Sequence, residues 1–252
     1  MIWKFCDTGF NTGKFNMDFD MELVQNFSGR PSLRFYRWEP YCISLGANQD
    51  IYSVNLQKIS NAGFDIVKRP TGGRAILHAE ELTYSVIYPI SVEQTPRKIY
   101  REINLALKTG LEIYNSQLVK IELEHTQPHF PSFYKDTKST LCFAVSAMNE
   151  LNYNSKKVVG SAQRKIGNIV LQHGSILCGS FHKNVVEYLN LDSEKIQEIK
   201  EEIDQTTTEL ETILDEKINY KILVQCIKEG FENHFNIKFE EEILLKQILS
   251  FN

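Results

Sequence analysis

The stretch Asp65-Ile66-Val67-Lys68-Arg69-Pro70-Thr71-Gly72-Gly73-Arg74-Ala75-Ile76-Leu77-His78 organises the reading of the whole chain. β-Branched and apolar residues on either side of Pro70-Thr71-Gly72-Gly73 predict strands over Asp65–Arg69 and Arg74–His78. On pattern alone, the Gly-Gly pair between them reads as a hairpin turn. Paired glycines also let a backbone approach a ligand closely, because no Cβ intervenes. Basic residues on both sides (Lys68, Arg69, Arg74) suit an anionic or carbonyl-bearing ligand. No Gly-Lys-Ser/Thr and no GxGxxG is present, so this is not a nucleotide P-loop or a dinucleotide fingerprint.

Working outward, Ser32–Trp38 and Tyr41–Leu45 read as strands broken by Glu39-Pro40, and Thr83–Tyr88 as a third. Glu150–Tyr153, Lys157–Ala162 and Asn168–Leu177 continue the strand pattern, the last after an Ile166-Gly167-Asn168 turn. Helical spacing marks Asn16–Phe27, Val54–Ala62 (ending at Gly63), Pro96–Leu118, Ser193–Ile203 and Tyr220–Phe235. Thr206-x-x-Glu209 has the form of a capping box ahead of Leu210. Gln127–Ser139 reads as a loop. Strands in the middle with helices around them predict an α+β fold, one domain over 1–252 with a helical C-terminal region from about residue 192.

The 252 residues are 42% hydrophobic and 24% charged, an ordinary globular mixture. With 28 basic against 32 acidic residues the net charge is −4, which disfavours a general nucleic-acid binder. The charge is uneven. Asp192 to Lys217 holds ten acids and three bases, so that stretch carries −7 and the rest +3. Five cysteines without CxxC spacing suggest neither a disulfide framework nor a zinc site. No apolar run reaches the roughly 18–20 residues that span a bilayer, and Met1–Phe10 lacks the form of a signal peptide. The expectation is a reduced, cytoplasmic protein with no nucleic-acid or membrane partner.

Two further segments carry chemistry-bearing residues. Cys142 lies between Leu141 and Phe143, a setting that by itself favours a buried small hydrophobe over a nucleophile. Lys156-Lys157-Val158-Val159-Gly160-Ser161-Ala162-Gln163-Arg164-Lys165 has four bases and no acid. Its small residues leave room for an apolar ligand on a strand, although a solvated basic hairpin fits as well. His78 and His173 have no partner at metal-ligand spacing, so no metal is expected.

In order along the chain, Ile43–Gln49, Arg69-x-Thr71-Gly72-Gly73-Arg74-Ala75-x-Leu77-His78 and Lys157–Arg164 resemble blocks of the biotin/lipoate protein ligase and lipoyl/octanoyl transferase superfamily. The resemblance runs from about Trp3 to Leu177. It implies a central mixed, mostly antiparallel sheet flanked by helices. The Gly160-Ser161-Ala162-Gln163 form of the third block, Cys142-Phe143 upstream and Leu171–Ser175 behind resemble the cysteine-dependent octanoyltransferases more than the ATP-dependent ligases. The resemblance implies Cys142 as an acyl-thioester nucleophile and Lys157 as the group that lowers its pKa. It also implies substrate binding by Arg69, Gly72, Gly73, His78, Gly160, Ser161 and Ala162. Many members have Arg-Arg where Lys68-Arg69 stands here. The implied donor is octanoyl-acyl carrier protein. The implied acceptor is a lipoyl-domain protein such as glycine cleavage H protein or 2-oxoacid dehydrogenase E2.

The chemistry is consistent with that reading. A thiolate accepts and releases an acyl group without ATP when the donor is already a thioester, so no cofactor is implied. A thiol of pKa about 8.5 is only a few per cent ionised near neutrality. A lysine cation at ~6 Å in an effective dielectric of ~20 contributes about 2–3 kcal/mol, or roughly two pKa units. Three other readings stay open on sequence: an amidotransferase between lipoyl-domain proteins, an ATP-dependent lipoate ligase, and a non-catalytic acyl-carrier-binding module.

Overall fold

The computed structural model describes residues 1–124 and 150–241. Cys142 and the loop expected over Gln127–Ser139 lie outside the described residues. Among the described residues, eleven strands form two sheets. The strands are β1 (Ile2–Asn11), β2 (Ser32–Trp38), β3 (Cys42–Leu45), β4 (Asp65–Lys68), β5 (Ile76–His78) and β6 (Glu81–Pro89), followed by β7 (Ile121–Leu123), β8 (Leu151–Tyr153), β9 (Lys156–Ile166), β10 (Ile169–Leu177) and β11 (Lys238–Glu241). Helices α1 (Gly13–Gln25), α2 (Leu56–Asn61), α3 (Pro96–Tyr114), α4 (Ser193–Thr206), α5 (Leu210–Leu214) and α6 (Tyr220–Phe235) surround them. The large sheet runs β11-β1-β2-β6-β10-β9-β8-β7 and the small one β4-β3-β5. Among the described strands only β11–β1, β1–β2 and β3–β4 pair in parallel, so the architecture is α+β with a mixed, mostly antiparallel sheet.

Side-chain alternation decides what each face meets. On one face of the large sheet, Leu33 and Phe35 of β2, Leu82, Tyr84 and Val86 of β6, and Val170 and Ile176 of β10 pack against α3 and α6. Those two helices touch at glycines. A Cβ on Gly230 would stand 2.3 Å from the Gly110 amide nitrogen, so the close approach needs both positions bare. The other face meets α1 and the small sheet. Within the small sheet, Ile43, Leu45 and Leu77 turn outward to Val185, Val186 and the α4 residues Ile199 and Ile203. The acidic segment therefore supplies an outer layer over the small sheet.

Several expectations need correction. The Pro70–Gly73 loop is not a hairpin, because β4 and β5 never pair with each other. β3 lies between them, parallel to β4 and antiparallel to β5. The loop instead crosses the end of β3, where Gly73 approaches Gly46 so closely that a Cβ on Gly46 would stand 1.9 Å from the Gly73 carbonyl oxygen. The capping box also fails. Thr206 belongs to the last turn of α4 and donates to the Glu202 carbonyl at 2.7 Å, while the Glu209 carboxylate pairs with Lys183 at 2.9 Å. On α6 the buried stripe is Leu223, Ile227, Gly230 and Phe231; Ile222 is exposed. The strand through Lys157–Ala162 runs on to Ile166. The C-terminal region is not all helix, since β11 adds an edge strand beside β1.

Candidate active site

A cleft with about 480 Å³ of non-protein space, part of it open to solvent, lies between the two sheets. The cross-strand register builds its floor. Tyr36, Thr83, Ser175 and Gly160 stand side by side on β2, β6, β10 and β9, and Arg34, Ser85, His173 and Ala162 form the next row. Ser44, Ile76 and His78 face this floor from the small sheet, Met17 reaches in from α1, and Lys157 and Glu150 stand in the wall.

Lys157 is buried, and its ammonium lies 2.9 Å from the Glu150 carboxylate, itself buried. A buried charge needs such a partner, because its desolvation is otherwise uncompensated. The basic look of Lys156–Lys165 is therefore misleading at one position: Arg164 and Lys165 are exposed, whereas Lys157 turns inward. The Gly160-Ser161-Ala162-Gln163 block splits by alternation. Gly160 and Ala162 present small side chains to the cavity. Ser161 and Gln163 turn to the opposite face, where the Ser161 hydroxyl donates to Asn104 at 3.2 Å and bonds Tyr84 at 2.7 Å. Gln163 donates to Gln172, which donates to the Tyr84 hydroxyl. Ser161 lines the cavity with its backbone while its hydroxyl anchors the sheet to α3.

Arg69 lines the cavity, yet its guanidinium is taken up by this chain's own oxygens. It donates to the Ser44 carbonyl (2.9 Å) and hydroxyl (3.0 Å), to Gly72 O (3.0 Å) and to Arg74 O (2.8 Å). Those bonds hold the glycine loop over β3. Gly72 and Gly73 are not among the residues lining the cavity; at the crossing it is Gly46 that must lack a Cβ, and Gly73 takes a φ of +98°. His78 stacks on Trp38 with ring centroids 4.0 Å apart. Its Nδ1 is 2.8 Å from Glu81, and its Nε2 is 2.7 Å from the Ser44 hydroxyl. Burial alone would raise the Glu81 carboxyl, but His78 and the hydroxyls of Thr83 and Ser175 outweigh it and hold it below the ordinary range.

A second carboxylate–histidine–hydroxyl chain was not anticipated. Asp20 of α1 lies 3.5 Å from His173 Nδ1, and His173 Nε2 lies 2.6 Å from the Thr71 hydroxyl. Asp20 also accepts from Arg34 at 2.7 Å, from Ser85 at 2.7 Å and from Tyr36 at 3.1 Å. The Asp20 signal is a lone acid on the apolar face of α1, which periodicity alone treats as noise. Burial lowers His173 below its ordinary 6.5, against the opposing pull of Asp20, and burial likewise lowers His182. Both imidazoles fold neutral, so the unfolded chain binds more protons below about pH 6.5, and stability present above that pH is lost as pH falls. The urea midpoint is expected to be flat above about pH 7 and to drop toward pH 5. His182→Gln should make that drop shallower; an unchanged slope would remove His182 from the account.

Three of the other thiols are held protonated. Burial pushes Cys42 well up, with Asp65 and Glu81 adding to it, and pushes Cys178 up to about 12. Cys226 is raised by partial burial, and Cys6 is buried. Among the described residues no helix is long and apolar enough to cross a membrane.

Fold and motif order define a protein of the lipoyl-modifying class. The family model of the lipoyl protein ligase A/B catalytic domain matches residues 12–232, and the chain belongs to that family. Among curated relatives, the octanoyltransferase LipM of Macrococcus caseolyticus is 32% identical, over 94% of this chain and 88% of its own. The octanoyltransferase LipM of Bacillus subtilis is 30% identical, over 99% and 92%. The same fold appears in the bipartite lipoate protein ligase of Thermoplasma acidophilum, with a TM-score of 0.76 at 18% identity over 99% of this chain and 90% of that one. A lipoate-protein ligase A structure bound with ATP matches with a TM-score of 0.74 at 18% identity, over 99% and 92%.

Proposed function

We infer that the chain is an octanoyltransferase of lipoate biosynthesis, working by a two-step exchange through Cys142. The observation that carries the mechanism is the buried Lys157 ammonium in the wall of a cavity that Gly160 and Ala162 leave open beside it. Octanoyltransferase relatives matching almost the whole chain support the same reading.

In the first step the Cys142 thiolate attacks the thioester carbonyl of octanoyl-acyl carrier protein. A new C–S bond forms, the carrier C–S bond breaks, and the carrier thiolate leaves and takes a proton. In the second step the free amine of a lysine on a lipoyl-domain protein attacks the acyl-enzyme. The C–N bond forms, the C–S bond breaks, the amine gives up a proton to solvent, and Cys142 returns as thiolate. Lys157 supplies positive charge at the reacting end, where both steps develop negative charge on the carbonyl oxygen. Gly160 and Ala162 leave room for the alkyl chain.

Incubation of the enzyme with octanoyl-acyl carrier protein is expected to add the mass of one octanoyl group, released by hydroxylamine and absent from Cys142→Ala. An enzyme that takes no adduct, or one whose Cys142→Ala form still acylates the acceptor when given ATP and free octanoate, overturns the reading. Loading from octanoylated H protein but not from the carrier would change the donor and leave the thioester chemistry standing.

A further inference from the structure

The cavity has two unlike ends. On the β9 side stand Lys157 and Glu150; on the β2 side stand Tyr36 and Trp38, with Met17 of α1 beside them. Two strands, β6 and β10, lie between β2 and β9. Three strand spacings of about 4.8 Å put the two backbones about 14 Å apart. A fully extended eight-carbon acyl group covers about 9 Å from carbonyl to methyl, by ordinary C–C bond lengths. With the carbonyl at Lys157, the remaining few ångströms are the depth of one side-chain layer on the β2 side.

Most of that layer is fixed. The Tyr36 hydroxyl bonds Asp20, and its ring lies 4.0 Å below the Arg34 guanidinium. Trp38 is held by Thr83 at 2.7 Å and by the stack on His78. Met17 is different. Its thioether is buried against Tyr36, Trp38, Cys42 and Val67, and unbranched methionine adapts to the space it is given.

We propose that Met17 closes the tail end of the cavity and sets the acyl chain length the enzyme accepts. The proposal rests on the octanoyl-transfer reading. Shortening the side chain opens room for further methylenes, and each methylene taken out of water changes the rate ratio about fourfold.

The test is a competition in one tube. Hexanoyl-, octanoyl- and decanoyl-acyl carrier protein are supplied in equal amounts with an apo lipoyl-domain acceptor, and the acceptor's products are counted by intact mass. A ratio taken within one tube does not depend on how much of a variant is folded. Met17→Ala is expected to raise the decanoyl-to-octanoyl ratio on the order of tenfold. Met17→Phe is expected to shift the products toward hexanoyl, and Met17→Leu, of similar volume, to keep the wild-type profile. Unchanged ratios in both Met17→Ala and Met17→Phe, with transfer intact, overturn Met17 as the length stop. No transfer by the wild-type enzyme would instead bring down the octanoyltransferase reading itself.

Discussion

In Lys157→Met, octanoyl loading of Cys142 at neutral pH is expected to fall more than tenfold, because losing about two pKa units of stabilisation takes the thiolate from the major form to a few per cent. The change removes positive charge and also the ammonium 2.9 Å from the buried Glu150 carboxylate. Loss of that cation leaves the Glu150 charge to oppose a thiolate nearby and costs stability. The two effects separate in Lys157→Met/Glu150→Gln. That double variant should recover the denaturation midpoint and leave loading slow, because no buried charge remains unpaired and no cation remains for the thiolate. The pH midpoint for Cys142 alkylation by iodoacetamide should rise by about two units in the double variant and by more in Lys157→Met, where the Glu150 charge remains. Loading in Lys157→Met within about threefold of wild type, roughly 0.7 kcal/mol, would remove Lys157 from the mechanism.

The largest expected loss of stability belongs to Asp20→Ala. Arg34 is fully buried, and its partners are Asp20, the Asn16 carbonyl and amide oxygen, and the Thr8 hydroxyl. Only Asp20 offsets its charge among them. Burial would raise the Asp20 carboxyl, but Arg34 and the bonds from His173 and Ser85 outweigh it and keep it below the usual carboxylate range. Removing one member of a buried pair costs about 3–5 kcal/mol, or on the order of 10 °C in melting temperature for a chain of this size. An apolar replacement of both residues, Asp20→Leu/Arg34→Met, should recover much of that loss. A melting temperature for Asp20→Ala within about 3 °C of wild type, near 1 kcal/mol, would show that the pair contributes little.

The sequence was most legible where an element has a clear boundary or a clear period. Ser32–Trp38, ended by Glu39-Pro40, and the helical spacing of Tyr220–Phe235 matched β2 and α6 end to end, β2 although both of its faces are buried. The edge strands were harder. β11 is four residues of mixed charge whose pairing with β1 is entirely nonlocal, so no local pattern announces it. The Gly72-Gly73 turn was misread because hairpin and crossover share the same turn residues; only the insertion of β3 distinguishes them. Among site residues, Lys157, Gly160 and Ala162 meet at the cavity through the order of motifs. The inward pairing of Lys157 with Glu150, the outward turn of the Ser161 hydroxyl and the clamp made by Arg69 depend on contacts between strands and loops that spacing does not encode.

β1 pairs on one side with β2 and on the other with β11, Ile2 facing Lys238 and Phe5 facing Glu241. This seam joins residues more than two hundred positions apart, and its closure entropy grows with the logarithm of that separation. Pairing of β1 with β2 is far more local and forms without it. During synthesis the free edge of β1 therefore stays open until residue 241 has been made. Contacts of such long range form late, so the β1–β11 seam is the last part of the sheet to zip and the first place where a nascent chain exposes an unpaired strand.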